Sequence, residues 1–339
     1  MKKREITLEY QNLIFEPPVE PAKLYAEACS NDDNTIKMWR ETWLSNIRAN
    51  HEKHGPFSAS GIGNEFGKHR FKPIIIAGSG PSLKYNAKDL KDRRGIPLVS
   101  CLHNFHYMED LGIAPEYYTT LDAGIITVEE VSEGGSKSED EYWEITKDRT
   151  LIAYVGTHPE LINKWRGRIL WYQAPVPDDI YREEAAKIED FHQLMSTGGN
   201  VLGACLYFAK AVLGGSVTIF VGADFCFGYD RKFHSWDSKY DKVMGRCVPV
   251  VDIFGNKVPT WNSYAGFKKF FEVISLRVPG LYLNCTEGGA LGSYPDGNLN
   301  SFKYMDLKQA LDMFNMCDRL AAQMTQADCS EEDKRKILF

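Results

Sequence analysis

The sequence predicts an α/β protein: a Rossmann-like, doubly wound, mostly parallel sheet with an N-terminal helical extension and a C-terminal helix. Two observations carry this prediction. From Phe71 to about Gly222 short apolar strands alternate with helical segments, the order that builds a parallel sheet covered on both faces. The first strand, Ile74–Ala77, breaks into Gly78-Ser79-Gly80-Pro81-Ser82, so a buried strand delivers a small loop to the head of a helix, where ligands sit in open α/β sheets.

The elements follow in order. Residues 1–70 form the extension, with Pro17, Pro18 and Pro21 ahead of a helix over Thr35–Ala49, where Ile36, Trp39, Trp43, Leu44 and Ile47 recur at helical spacing. It reads as a cap or docking element. The stretch Gly55–Gly67 reads as a flexible joint to the main domain, residues 71–300. There PIIIAG, IPLVSCL, PEYYTTLD, TLIAYVG, GRILWY and SVTIFVGAD supply strands, and His158–Trp165, Ile180–Leu194 and Asn200–Leu213 supply helices, the last closed by Gly214-Gly215. A helix over Asn262–Arg277 feeds the strand LYLNC. Residues 301–339 hold a helix over Met305–Met324 and the charged tail CSEEDKRKILF, which reads as a solvated terminus. No internal repeat is present.

Composition narrows the function classes. With 339 residues, 43% hydrophobic and 25% charged, the chain can bury a sizeable core as an ordinary globular protein. Its net charge of -6 argues against nucleic acid as a partner. None of the eight cysteines forms a C-x-x-C pair or stands at zinc-ligand spacing, the usage expected of reduced thiols in a cytoplasmic protein. The segment MKKREITLEYQNLIF alternates polar and apolar residues, unlike a signal peptide, and the apolar run near Val201–Ala209 is too short for a membrane span. Oligomeric state leaves no signal.

The candidate site collects at strand ends. Glycines at 78 and 80 suit backbone approach to a phosphate, although Leu83 replaces the third glycine of a dinucleotide fingerprint and no Gly-Lys-Ser/Thr follows. The same loop also suits a plain strand-to-helix turn opened by Pro81. After the second strand stand His103 and Asn104, where an NAD-binding fold wants an acidic residue, which argues against a dehydrogenase. Thr197, Gly198, Gly199 and Asn200 precede a helix and suit either anion binding or simple capping. Asp122 and Asp224 each follow a strand, where a carboxylate holds ribose hydroxyls, coordinates magnesium, accepts a proton or caps a turn. His234, in GYDRKFHSW, is a candidate general acid or base, or a surface residue.

The ordered series GSGPSL, HNFHYMEDLGIAPEYYTTLD, STGGNV, VGADFCFGYDRKFHSW, DIFGNKVPT and LNCTEGGALG resembles the central domain of bacterial motility accessory factor proteins, which belongs to the 6-hydroxymethylpterin diphosphokinase MptE-like family. The likeness covers roughly Phe71–Gly292. More distantly, the region resembles bacterial sialyltransferases that use CMP-activated sugars. That likeness implies a nucleotide at Gly78–Ser82 and Asn104, and a phosphate or sugar carboxylate at Thr197–Asn200. Such sialyltransferases carry a catalytic histidine where this chain reads Pro259-Thr260-Trp261-Asn262, which leaves His234 or Asp224 as the expected catalytic group.

Three readings follow from the resemblance. The first is glycosyl transfer from a CMP-activated nonulosonic, sialic-acid-like sugar to a glycan or protein acceptor, with no metal and no tightly bound cofactor. The second is a magnesium- and ATP-dependent diphosphokinase acting on a 6-hydroxymethyl-dihydropterin, with Asp122 and Asp224 as magnesium ligands. The third is a nucleotide-binding module without turnover. Lys84, Arg93, Arg94, Arg231 and Lys232 are the cations within reach in sequence. Glycosyl transfer is the leading expectation.

Overall fold

The computed structural model describes residues 21–238, 247–293 and 300–327. Pro17, Pro18 and the tail from Cys329 lie outside them. Eight strands form one sheet, β1 (Pro73–Ala77), β2 (Leu98–Cys101), β3 (Tyr117–Thr120), β4 (Thr150–Tyr154), β5 (Arg168–Tyr172), β6 (Val217–Val221), β9 (Leu281–Asn284) and β10 (Phe302–Tyr304), in the order β10-β9-β6-β1-β2-β3-β4-β5. All its described pairings are parallel. The two remaining strands, β7 (Val248–Val251) and β8 (Lys257–Thr260), pair antiparallel as a separate hairpin.

Register and burial explain the near-continuous apolar strands. Ile75 lies opposite Leu98 on one side and Ile219 on the other, so β1 is central. Alternate residues feed opposite faces: Ile74 and Ile76 pack with Leu202 and Phe208, whereas Ile75 and Ala77 pack with Leu83, Leu90 and Leu311. A strand covered on both faces has no polar side to show.

The helices that cover the sheet are α1 (Pro21–His54), α2 (Leu83–Asn86), α3 (Phe105–Asp110), α4 (Ile126–Glu129), α5 (Glu139–Ile145), α6 (Pro159–Lys164), α7 (Asp179–Ile188), α8 (Val201–Tyr207), α9 (Asn262–Arg277) and α10 (Leu307–Ala327). The helix expected at Thr35–Ala49 is thus the C-terminal part of a longer one. It docks on the sheet through two buried asparagines. The Asn46 amide donates to Ala123 O (3.1 Å) and Gly156 O (2.9 Å), and the Asn50 amide to Val155 O (2.9 Å) and Thr157 O (2.8 Å).

Tertiary contacts overrode three sequence expectations. The stretch Gly55–Gly67 is no flexible joint: it folds into two short 3₁₀ turns that bury Phe57, Ile62 and Glu65. The helix expected to run to Leu194 stops at Ile188, because the Glu189 carboxylate accepts from Phe57 N (2.6 Å) and Ser58 N (2.9 Å) while Gln193 accepts from Gly63 N (2.6 Å). The β7–β8 hairpin and β10 lay outside the strands expected from sequence, and β10 carries the sheet beyond residue 300.

The chain turns away from β1 in both directions, to β2 on one side and to β6 on the other, so a crevice opens beyond the carboxyl ends of these strands. Gly78 and Gly222 meet there. A Cβ on Gly222 would lie 2.4 Å from Gly78 O, and one on Gly78 would lie 2.5 Å from Gly222 O. Gly222 also holds φ at 60°, a conformation costly for other residues. Gly222→Ala is expected to cost about 3 kcal/mol in urea unfolding, against about 1 kcal/mol for Gly67→Ala, which is left-handed but faces open space. Equal losses would show that backbone conformation, and not the close approach, sets the cost.

Candidate functional site

A cavity of about 400 Å³ occupies that crevice. Seven residues singled out from sequence line it: Gly78, Ser79, Gly80, Asp122, Asn200, Asp224 and His234. Six do not. Pro81 and Ser82 line a small neighbouring cleft, Asn104 lies beneath β1, and Thr197, Gly198 and Gly199 stand behind Asn200.

The glycine loop is tied down by its own amides. Gly78 N donates to Val221 O (2.9 Å), Gly80 N to Gly222 O (2.8 Å), and Ser82 N to the Asp224 carboxylate (3.2 Å), which also accepts from the Ser82 hydroxyl (2.7 Å). Among the described residues only the Ser79 amide of the loop has no partner. A Cβ on Gly80 would lie 2.2 Å from Asp224 Oδ2, so glycine here admits a carboxylate of the protein itself. Asn104, fully buried, donates its amide to Gly78 O (2.9 Å) and Ser100 Oγ (3.2 Å) and braces the loop from below.

Asp224 is held from the far side by the TEGGA turn after β9. Ala290 N donates to Asp224 O (2.7 Å), and a Cβ on Gly289 would lie 2.4 Å from Asp224 Cα. The β7–β8 hairpin grips the next loop, with Phe227 N donating to Pro259 O (3.0 Å) and Thr260 Oγ1 to Phe225 O (2.7 Å). That loop carries His234, buried against His103 (ring centroids 4.7 Å apart), Trp236 and Phe233. Ser235 fastens it to the glycine loop through Oγ to Gly80 O (2.5 Å).

Asn200 caps α8, its Oδ1 accepting from Gly203 N (2.8 Å). Val201 and Leu202 line the cavity, and their amides have no partner among the described residues. Free N–H groups in the first turn of a helix are where a phosphate or carboxylate binds. No lysine or arginine among the described residues lines the cavity. Lys84 pairs with Asp230, Lys232 with Asp237, and Arg93 with Glu116 (3.0 Å).

The wall at the end of β3 is acidic. Asp122 shares it with Glu130, which sequence reading missed although four residues separate it from Ile126, one helical turn that also faces the cavity. Burial raises both carboxyls, and the Asp122 and Glu133 charges add to the rise at Glu130, which reaches about 8. By surface area Asp122 is exposed and Glu130 half-buried, because both face a cavity that water enters. Burial also lifts the Tyr264 hydroxyl to about 12, with Asp122, Cys101 and Glu130 adding to it. Among the described residues, no three His, Cys, Asp or Glu side chains converge as a ready metal site.

A parallel sheet with loops converging at the β1/β6 switch point defines a doubly wound, Rossmann-like α/β protein. The chain belongs to the MptE-like family: the profile described as 6-hydroxymethylpterin diphosphokinase MptE-like matches residues 41–230. No curated protein matches the sequence. Among solved structures, the fold is similar to that of the MAf glycosyltransferase from Magnetospirillum magneticum AMB-1, with a TM-score of 0.58 and 16% identity over 80% of this chain and 38% of that one. This chain thus spans well under half of that protein, and at such identity the likeness is one of fold. No described helix is long and apolar enough to cross a membrane.

Glu130 gives the site a pH signature. Its carboxyl ionises near 4.5 in the unfolded chain and near 8 in the fold, so the stability it contributes is present below about 4.5 and is lost as pH rises through about 8. Glu130→Gln is expected to raise stability by about 2 kcal/mol at pH 9 and to leave it unchanged at pH 4, in urea unfolding at the two pH values. An equal effect at both would mean that the carboxyl titrates as if in water.

Proposed function

We propose that the protein is a nucleotide-dependent transferase, and that its reaction is glycosyl transfer from a CMP-activated nonulosonic sugar. The observation that carries this reading is the convergence on one cavity of the start of α8, whose Val201 and Leu202 amides have no partner among the described residues, and the Asp122–Glu130 carboxylate pair. The two ends suit the two halves of the reaction. At the first, the Val201, Leu202 and Ser79 amides and the helix dipole hold the donor phosphate, stabilising the charge that develops as CMP leaves. At the second, a carboxylate poised near neutrality accepts the proton of an acceptor hydroxyl.

Within this reading Asp224 positions the glycine loop, since Ser82 engages its carboxylate. His234 and His103 face the donor, where imidazole N–H groups donate to phosphate. Gly78, Ser79 and Gly80 shape the donor wall, Asn104 and Ser82 fix its position, and Thr197–Asn200 set the start of α8.

One observation favours a second reading, the magnesium- and ATP-dependent diphosphokinase. With no lysine or arginine on the cavity wall, a triphosphate needs a cation from elsewhere, and two adjacent carboxylates with water suit magnesium. Asp122 and Glu130 fit that role better than Asp122 and Asp224. When bound, the ion would neutralise phosphate charge.

Calorimetry of the purified chain with CMP, CDP, ADP and ATP, each with magnesium and with EDTA, separates the readings. CMP binding that survives EDTA is expected. Magnesium-dependent ATP binding with no response to CMP would establish the diphosphokinase instead, and silence from all four would leave a non-catalytic module. Gly80→Val, checked for folding by circular dichroism, is expected to weaken CMP by at least about 100-fold, because its side chain displaces Asp224 and the donor wall.

A further inference from the structure

We propose that Thr119, Asp122 and Glu130, in a cavity they share with Trp261, Tyr264 and Phe267, form the acceptor subsite, and that its occupant is an uncharged sugar with free hydroxyls; the reaction step, though not the subsite, rests on the transferase reading above. The pointer is Thr119. It lines the cavity, is fully buried, and its hydroxyl has no hydrogen-bond partner among the described residues. A buried hydroxyl left unpaired costs about 1–3 kcal/mol, so the protein carries there a polar group that a ligand completes. Thr119 sits on β3, two strand spacings or ~10 Å along the sheet edge from the glycine loop on β1, which separates this subsite from that loop.

The lining selects the occupant. Ionised carboxylates only accept hydrogen bonds, so hydroxyl donors match Asp122 and Glu130, whereas an acidic occupant meets like charge. Trp261, Tyr264 and Phe267 bring aromatic carbon to the same cavity, and the negative face of such a ring attracts the C–H face of a pyranose. Carboxylates and aromatic rings in one cavity fit a sugar ring better than an extended peptide. Burial and the neighbouring charge favour one proton on the carboxylate pair at neutral pH.

The step then balances. The ionised member of the pair takes the proton of an acceptor hydroxyl as its oxygen bonds to the anomeric carbon of the donor. The bond from that carbon to the phosphate oxygen breaks, and its electron pair leaves with CMP. The proton passes from the pair to water when product departs.

Saturation-transfer NMR on the full chain with methyl glucoside, methyl glucuronide and a serine- and threonine-rich peptide tests the subsite without any donor. Methyl glucoside is expected to bind, with glucuronide weaker by about tenfold or more. Thr119→Val and Glu130→Gln are expected to weaken the glucoside by about tenfold each, with unfolding midpoints at pH 7 above the parent's, since each removes a group that is costly to bury. Equal binding of the two glycosides, variants that bind like the parent, or binding of the peptide alone would overturn the assignment. With a CMP-activated nonulosonic sugar added, Asp122→Asn is expected to lower transfer by about 100-fold or more while the CMP Kd stays within about twofold. Glucoside binding without any response to CMP would overturn the donor reading and leave the subsite standing; CMP binding without glucoside binding would do the reverse.

Discussion

Two strand ends meet backbone to backbone at Gly78 and Gly222, and the rest of the site depends on that contact. It brings the loops after β1 and β6 close enough for Gly80 N to donate to Gly222 O (2.8 Å) and for Asp224 to reach the Ser82 hydroxyl (2.7 Å). Any side chain at either glycine would drive the loops apart and open that side of the cavity. The crevice of a doubly wound sheet arises from its topology. Its shape here is set by where two Cβ atoms are missing.

Support for this contact comes from elements far apart in sequence. The TEGGA turn packs on Asp224, the β7–β8 hairpin holds the loop bearing His234, and Ser235 fastens that loop to Gly80. Asn104 braces the same turn from β2. None of these four contributes much binding surface, yet each restricts a residue that does. A site built from loops needs such bracing to keep its geometry.

The sheet was legible in the sequence because strands buried on both faces leave no polar alternation and show as short β-branched runs, PIIIA and VTIFV among them. The strand ends were legible for the same reason, and they yielded the glycine loop, Asp122 and Asp224. What stayed hidden depends on long-range pairing. Glu189 and Gln193 cut α7 short by binding Phe57 to Gly63, and no local pattern announces a partner about 130 residues away. Glu130 was masked in another way: beside Glu129 it looks like one of two solvated charges, and only the packing of α4 turns one outward and the other to the cavity.

The glycine loop also shows that glycines at a strand end can serve contacts within the protein. Glycine next to a strand end suggests amides offered to a phosphate, but here three of those amides are consumed inside the protein and one carboxylate occupies the space that glycine leaves. Positive potential must then come from the α8 amides, whose cap, Asn200, satisfies Gly203 and leaves the first turn open. A weak dipole sharing a cavity with two full negative charges would leave that cavity repelling an anionic donor. Retention of a proton between Asp122 and Glu130 removes one of those charges, so under the proposed reading the burial that would make the pair a base would also let the cavity take a phosphate.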